Sequence, residues 1–573
     1  MFNHAPRFWP VMVVAVLLTL VACSRKDAPP LTDTSGPLRY VPADTPYILA
    51  GLEPAPDDFM DKMEPNIDHL LETYRSMLKA AVATATAEYA EEEPDSKADA
   101  REAALVEEFM TLLSLDGLRG AGMTRDSTLI FYGHGLLPVL RISLTDDALL
   151  DAAIARIETS AGKSMPVGEI QGKTYRYFDA DKIRVILATI DDQMILTVIP
   201  SSFEESQLVP LLGLTLPAEN IAQTGVLEEI ATQYGYLAMY VGFVSTERIF
   251  ATFIDEPEGL NKDLLSLIGN GAGMLDDICK EEIRSLAAVV PRMVTGYREI
   301  SVERVTSSVV VELREDIAAG LATIPATVPG LGKSHDAMFS LGMSMNLMAA
   351  REFLEARLDA LEEEPYQCDK LSGMQQIVAG GRQALSQPLP PIAYNFRGFL
   401  TIIEDIQGFD FQSKAPPELI DASFLLAMED PSALLAFGQM IPGLAEMNLE
   451  PNGAPQQFEL PAAQSGIDSA WIALSESALA ISVSPAAESV LPEMLHADSV
   501  SPPLFMSMDV DAASYYKMLG EAMKHDDDEI GEEMEAAIAE LMLAAAGFYD
   551  RFAVHVGFTA RGIEISAEVT LAD

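Results

Sequence analysis

The chain has 573 residues, 49% hydrophobic and 22% charged, so its composition excludes a disordered or collagen-like chain and its length allows several buried cores. Its 87 acidic residues outnumber its 37 basic residues, which gives a formal net charge of −50. A field of this sign repels phosphate backbones, so we expect no nucleic-acid partner. The same charge disfavours binding through anionic lipid headgroups.

The N-terminus has the features of an export signal. Arg7 supplies a positive charge, and Val11–Leu20 is an apolar run of ten residues. Ten helical residues extend about 15 Å, half of a bilayer core, so the run is typical of a signal peptide and too short to span a membrane. It runs into Leu20-Val21-Ala22-Cys23, which resembles the lipobox of bacterial lipoproteins.

This resemblance implies cleavage before Cys23, with residues 1–22 as the signal peptide and lipid attached to Cys23. Ser24 stands where proteins retained in the inner membrane typically carry Asp, so the resemblance favours an outer-membrane lipoprotein that faces the periplasm. Residues 23–37 are polar and proline-rich, which predicts a lipidated tether. The alternative is an ordinary secretory signal that ends in Cys.

Only two other cysteines occur, Cys279 and Cys368. Thiols in an oxidising compartment can pair, so a disulfide between them is possible. Their spacing in the sequence leaves the question open.

One unit occurs twice in the chain. An alternating strand reaches an Asp and opens a helix at Asp146 and again at Asp430. A later strand ends at Pro200, 54 residues after Asp146, and the matching strand ends at Pro485, 55 residues after Asp430. We expect a strand, a helix, three strands and a helix in each copy. We name this unit the meander module, and its copies span 140–212 and 424–495.

A second unit recurs more loosely, as a strand that runs into an amphipathic helix. Its four copies begin at Tyr47, Leu237, Met338 and Leu504. The chain is therefore predicted to be α+β, with two homologous halves of mostly antiparallel sheets, amphipathic helices and helical hairpins. The halves are 38–316 and 336–573, and 317–335 is a linker rich in Gly and Pro.

Two helical hairpins are predicted within this frame. Apolar residues recur every three or four positions from Phe59 to Val82, which predicts a long amphipathic helix. An acidic crest at Glu88–Glu108 would lead to its partner helix. A second hairpin is predicted at Tyr515–Phe548, with acidic residues at its tip.

The motifs of common catalytic sites are incomplete. Gly332-Lys333-Ser334 lacks the first glycine of a phosphate-binding loop, because position 327 is Thr. Ser-x-x-Lys pairs such as Ser514 and Lys517 lack the partner motifs of penicillin-recognising enzymes. The six histidines of the mature chain show no i,i+4 spacing. We therefore predict no catalytic, cofactor or metal site, and no enzyme.

Two hypotheses for function remain. The first is a non-catalytic binding or scaffold protein that contacts an unknown envelope protein. The second is a carrier or chaperone that holds a lipid or another apolar ligand between sheet and helices. The 27 methionines favour either an adaptable apolar groove or ordinary core filling, and clusters lie at Met338–Met348 and Met506–Met523.

Overall fold

The computed structural model forms two compact units. Unit 1 comprises residues 1–276, 291–307 and 527–544, and unit 2 comprises 277–290, 308–526 and 545–573. The structure describes residues 30–92, 110–180, 182–255, 259–268, 275–407, 419–432, 434, 447, 449–459, 469–523 and 546–572.

Unit 1 is built on one antiparallel sheet of nine strands, in the order β9-β8-β1-β2-β3-β7-β6-β5-β4. The strands are β1 Tyr47–Gly51, β2 Leu129–His134, β3 Leu137–Ser143, β4 Val167–Ile170, β5 Lys173–Ala180, β6 Ile183–Ile190, β7 Gln193–Pro200, β8 Val241–Ser245 and β9 Arg292–Ile300. A further strand, β10 (Arg304–Glu312), pairs with β9, and the boundary between the units falls inside it.

Eight described helices belong to unit 1, and a 3-10 turn at Pro37–Tyr40 precedes β1. The helices are α1 Asp57–Glu92, α2 Leu115–Gly120, α3 Asp147–Ala161, α4 Glu205–Leu211, α5 Ile221–Thr224, α6 Val226–Tyr234, α7 Thr246–Ile254 and α8 Gly259–Ile268. The long helix predicted from Phe59 is present as α1. Phe59 and Leu71 are buried, as its apolar periodicity requires.

The helix α3 begins and ends where its sequence dictates. Asp146 precedes it in an extended conformation, and its carboxylate accepts a hydrogen bond from the Ala148 amide at 2.9 Å. Gly162 ends the helix in the left-handed region, with φ +61°. The apolar face of α3 packs with α2 over β2, β3 and β7, in a core that includes Ile142 and Ile154. The predicted capping role of Asp146 is confirmed.

Unit 2 is also built on an antiparallel sheet of nine strands, in the order β19-β18-β17-β11-β12-β13-β16-β15-β14. The strands are β11 Phe339–Ser344, β12 Phe396–Gln407, β13 Leu419–Met428, β14 Gln456–Glu459, β15 Ser469–Leu474, β16 Ala478–Ser482, β17 Met506–Asp511, β18 Tyr549–Thr559 and β19 Gly562–Leu571. The described helices are α9 Asp277–Ala287, α10 Glu315–Leu321, α11 Leu347–Glu363, α12 Gly373–Ser386, α13 Pro391–Asn395, α14 Ala487–Leu495 and α15 Ala512–Met523.

The strand order of unit 2 repeats that of unit 1. β11, β12 and β13 occupy the places of β1, β2 and β3, and β16 occupies the place of β7. A backbone hydrogen bond that joins the end of β3 to the start of β7 recurs between β13 and β16. The Leu144 amide donates to Asp192 O at 2.8 Å in unit 1, and the Met428 amide donates to Ser477 O at 2.9 Å in unit 2. The fold is α+β and mostly antiparallel, as predicted.

The first meander module has one strand more than predicted. Four strands, β4 to β7, follow α3 in place of three, and in this respect the prediction was wrong. The extra strand arises because Gln171 and Gly172 both adopt positive φ, at 51° and 75°, which closes a two-residue turn between β4 and β5. In the second module, β14, β15 and β16 are the three strands that the structure describes between β13 and α14.

Residues 317–335, expected to be a linker, pack into unit 2. Val328 and Leu331 are buried in the core formed by β12, β13 and α14. The acidic crest at Glu88–Glu108 lies mostly outside the described residues, as does most of the tip of the hairpin at 515–548. Among the helices that the structure describes, none is both long and apolar enough to cross a bilayer.

Candidate functional site

The predicted site residues fall into two groups. Cys23 and the lipobox lie outside the described residues. Cys279 on α9 and Cys368 are joined by a disulfide within unit 2, with their Cα atoms 4.7 Å apart. The Glu282 carboxylate accepts hydrogen bonds from the backbone amides of Gln367 at 2.7 Å and Cys368 at 2.9 Å, which fixes the second cysteine against α9. The disulfide therefore joins α9 to the turn between α11 and α12.

One serine–histidine pair occurs in unit 2 and resembles the start of a nucleophilic site. The Ser507 hydroxyl lies 3.0 Å from His555 Nδ1, and burial holds the pKa of His555 below its usual range. The two residues face each other across β17 and β18, and Ser507 is 4% exposed. Because a substrate would have to enter the packed face of the sheet to reach Ser507, the pair is a cross-strand hydrogen bond.

A buried ion pair lies beside this serine–histidine pair. The Arg551 guanidinium donates from Nε to the Asp509 carboxylate at 2.8 Å and from Nη2 to Ala337 O at 2.7 Å. Arg551 thereby ties β18 to β17 and to the segment before β11.

A cleft of about 560 Å³ opens at the ends of two interior strands of the unit 2 sheet, where β12 begins and β13 ends. Arg397, Glu429 and His496 are its ionisable lining residues. Arg397 forms an ion pair with Glu429 and donates to the carbonyl oxygens of Phe396 at 3.0 Å and Tyr394 at 3.2 Å.

His496 and Asn346, which also line the cleft, have partners inside the fold. His496 Nδ1 lies 2.8 Å from Pro492 O, and Nε2 lies 3.1 Å from Asn452 Oδ1. The Asn346 carboxamide caps α11 by accepting two backbone amides. These side chains hold the cleft walls in place, and the arrangement directs neither nitrogen of His496 at a nucleophile. Within the described residues, no group of three or more His, Cys, Asp and Glu side chains could hold a metal ion.

The methionine clusters meet on one face of the unit 2 sheet. Met343 on β11 is directly opposite Met506 on β17, and Phe399 on β12 is the next residue in the same row. In the adjacent row, Phe424 is 39% exposed and its ring stacks on Phe399 at 6.2 Å. We name this surface the Met–Phe face. Its residues are Leu341, Met343, Phe399, Phe424, Met506 and Met508.

The two faces of these strands differ in burial. Leu400 and Leu425, which point to the opposite face, are buried in the core under α14. The residues of the Met–Phe face are only half-buried apart from Phe424, which is exposed. An apolar sheet surface in contact with water is typical of an interface. The sequence contains a signal of this surface. In these strands the residues that alternate with the core residues are apolar, whereas those of a solvated face would be polar.

A fully buried cation in unit 1 was not predicted. Arg141 on β3 is 1% exposed, and its guanidinium stacks 4.0 Å above the centre of the Tyr40 ring. It donates to the Tyr132 hydroxyl at 3.2 Å, Gln193 Oε1 at 3.1 Å and Leu211 O at 3.4 Å. Each of the three guanidinium nitrogens therefore donates to a neutral acceptor. A buried cation is costly unless its donors are hydrogen-bonded in this way.

Comparisons with known proteins found no match. No family model, no curated protein and no solved structure is similar to this chain.

Proposed function

We propose that this protein is an outer-membrane lipoprotein of the bacterial envelope that faces the periplasm and acts by binding. Lipid attached to Cys23 anchors the protein in the membrane. Leu20-Val21-Ala22-Cys23, which ends a short signal sequence, supports this anchor. The disulfide of unit 2 supports an oxidising compartment.

The observation that carries the binding function is the Met–Phe face. Six apolar side chains lie on neighbouring strands with their outer surfaces half-open to water. Covering such a surface is favourable by about 25 cal/mol for each Å² of apolar area removed from water. The Ser507–His555, Arg551–Asp509 and Arg397–Glu429 pairs are engaged within unit 2, and the proposed function assigns no chemistry to them.

The occupant proposed first is another envelope component, for which this protein acts as a non-catalytic scaffold. The second candidate is a lipid or another apolar ligand, for which it acts as a carrier. The methionines favour this candidate, because four of the six face residues are Met or Leu and methionine adapts to irregular apolar shapes.

We further propose that the two units descend from a duplicated half. The repeated strand order and the paired hydrogen bonds from Leu144 and Met428 support this. Asp430 supports it as well, because its carboxylate accepts the Ser432 amide at 3.0 Å, as that of Asp146 accepts Ala148.

Two measurements test the proposed function. Cys23→Ser should abolish incorporation of labelled palmitate and release the protein from membranes, and retention of both would refute the anchor. A photo-crosslinking residue at Phe424 should capture a protein or a lipid in intact cells. The same residue at Phe250, which is exposed on α7 of unit 1, is the matched control. Equal capture at both positions, or hydrolysis of a substrate by the purified chain, would contradict binding at this face.

A further inference from the structure

Three apolar side chains are exposed together at the β4 end of the unit 1 sheet. Val167 is 61% exposed, Phe178 56% and Ile183 38%. Val167 lies opposite Arg176, two residues before Phe178, and Ile183 lies opposite Ala180, two residues after it. Directly opposite residues of antiparallel strands share a face, so the three side chains form one surface.

The helix that covers this face of the sheet stops short of these residues. α3 packs over β3 and β7, and Arg176 Nη1 donates to its Asp151 carboxylate at 2.9 Å. Phe178 follows Arg176 by one step along the same face, where its ring is exposed. The apolar surface thus begins where the cover of α3 ends, next to the turn between β5 and β6.

The charge around this surface differs from that of the whole chain. Residues 162–184 contain five Lys and Arg against three Asp and Glu. Asp151 and Glu158 of α3 pair with Arg176, so this end of the sheet is close to neutral in a chain of net −50. Lys163, just before β4, and Lys182, just before Ile183, are both exposed at this end of the hairpins. We name Lys163, Val167, Phe178, Lys182 and Ile183 the hairpin tip.

We propose that the hairpin tip docks onto an anionic phospholipid bilayer. Exposed aromatic and aliphatic side chains flanked by lysine suit the boundary between headgroups and acyl chains. Charges beyond about 8 Å are screened at physiological ionic strength, so the exposed Lys163 and Lys182 act on a bilayer at the tip more strongly than distant acidic residues do. This inference rests on the proposed anchoring at Cys23, which holds the chain beside the membrane, and it adds a second contact that orients unit 1.

The test uses the full chain purified from membranes and reconstituted on vesicles of phosphatidylethanolamine and phosphatidylglycerol with brominated acyl chains. Phe178→Trp places a fluorophore at the tip, and Leu216→Trp, at an exposed apolar position elsewhere in unit 1, is the matched control. A docked tip lies about 5–10 Å into the interface, within reach of the bromines. We expect quenching of the Phe178→Trp emission beyond that of the wild-type chain and of Leu216→Trp.

A second set of variants tests the role of charge. Lys163→Gln combined with Lys182→Gln should weaken docking about 30-fold, equivalent to about 2 kcal/mol, because each lysine near an anionic surface contributes about 1 kcal/mol. Quenching of Phe178→Trp should fall to the same extent on phosphatidylcholine vesicles. Equal quenching on both vesicle types would overturn the anionic preference.

The outcomes separate this inference from the proposed function. A chain that floats with the vesicles without extra quenching at Phe178→Trp refutes the docking alone. A chain that does not float refutes the lipid anchor, and the docking with it. A crosslinker at Phe178 that captures protein in cells, without quenching on vesicles, assigns the tip to a protein partner and overturns the proposal.

Discussion

Units 1 and 2 share a strand order but carry different residues at one equivalent position of their sheets. A row of side chains crosses β1, β2, β3 and β7 in unit 1, and the matching row crosses β11, β12, β13 and β16 in unit 2. The first row is Ala50, Ile130, Arg141 and Ile195, and the second is Gly342, Leu400, Leu425 and Ala480. Arg141 and Leu425 are both fully buried, although one is a cation.

The difference lies in what the surrounding segments supply. In unit 1, the segment before β1 contributes the Tyr40 ring, and the end of α4 contributes the Leu211 carbonyl. In unit 2, Leu425 packs among apolar residues such as Leu331 and Leu491. The strand order therefore permits a charge in the core, and neighbouring loops decide whether that charge is satisfied.

Leu425→Arg should have the largest effect. It places a cation among apolar neighbours without the acceptors of unit 1, so we expect a loss of about 5 kcal/mol in stability. Hydrogen exchange with mass spectrometry, resolved by peptide, should show the loss in unit 2. Leu425→Met is the control and should cost about 1 kcal/mol. Equal stability of the two variants would show that the core of unit 2 tolerates charge.

Arg141→Ala should destabilise unit 1 by about 3 kcal/mol, because it opens a cavity and leaves buried acceptors at Tyr132, Gln193 and Leu211. Arg141→Leu, which copies unit 2, should recover part of this loss by filling the space. Urea denaturation at neutral pH measures both variants. An unchanged midpoint for Arg141→Ala would show that the cation is dispensable.

Gly213→Ala tests how closely the loop approaches the cation. Gly213 has φ +73°, and an added Cβ would lie 2.4 Å from Arg141 Nη2 and 2.6 Å from the Tyr40 ring. We expect a loss of about 2 kcal/mol from backbone strain and the clash. In the Arg141→Ala background the loss should shrink, since the clashing atom is absent. Strictly additive losses would place the whole cost in the backbone.

The smallest effect concerns pH, at His134 on β2 and Glu404 at the matching position of β12. Burial lowers the pKa of His134 and raises the pKa of Glu404 to about 7, and the charge of Asp421 adds to the second shift. Stability from Glu404 is present below its unfolded pKa near 4.5 and is lost as pH rises through 7. Stability from His134 is present above pH 6.5 and is lost as pH falls below it.

Between pH 5 and pH 8, Glu404 should therefore take about 1 kcal/mol of stability from unit 2 after allowance for solvent screening, while His134 adds stability to unit 1. Burial also lowers the pKa of His335 and His555, so these two histidines add stability to unit 2 over the same range. Hydrogen exchange corrected for the intrinsic effect of pH resolves the two units. Relative to the wild-type chain, Glu404→Gln should make unit 2 alone more stable at high pH, and His134→Gln should reduce the gain in stability of unit 1 alone. A pH trend that either substitution leaves unchanged in its own unit would contradict this assignment.

Much of the fold followed from local pattern. The aspartates at 146 and 430, the alternating strands and the prolines after them predicted the repeated module, because capping and alternation act over a few residues. The extra strand β4 was not predicted, since a turn at Gln171 and Gly172 is a weak signal in isolation. The disulfide stayed open because thiol pairing depends on how distant segments pack.

The candidate surfaces were harder to predict. Arg141 is in phase with Leu137 and Val139 on β3, which placed it on a buried face. Its acceptors, however, come from residues up to 70 positions away, and the ring stacked on it comes from Tyr40, before β1. The Met–Phe face required the order of β17, β11, β12 and β13, which the sequence does not state. The sequence shows which residue types are present, and only the fold shows which residues are neighbours.

The position of β1 determines how unit 1 carries a mechanical load. β1 begins seven residues after Tyr40 and pairs along both edges, with β2 and with β8. A pull on the N-terminus reaches β1 through the segment that holds Tyr40, and β1 leaves the sheet only if the hydrogen bonds to both β2 and β8 break, whereas an edge strand has one neighbour to lose. The stacked ring of Tyr40 meets that force before the strand does. Resistance of this kind is kinetic and is set by the rate of forced unfolding.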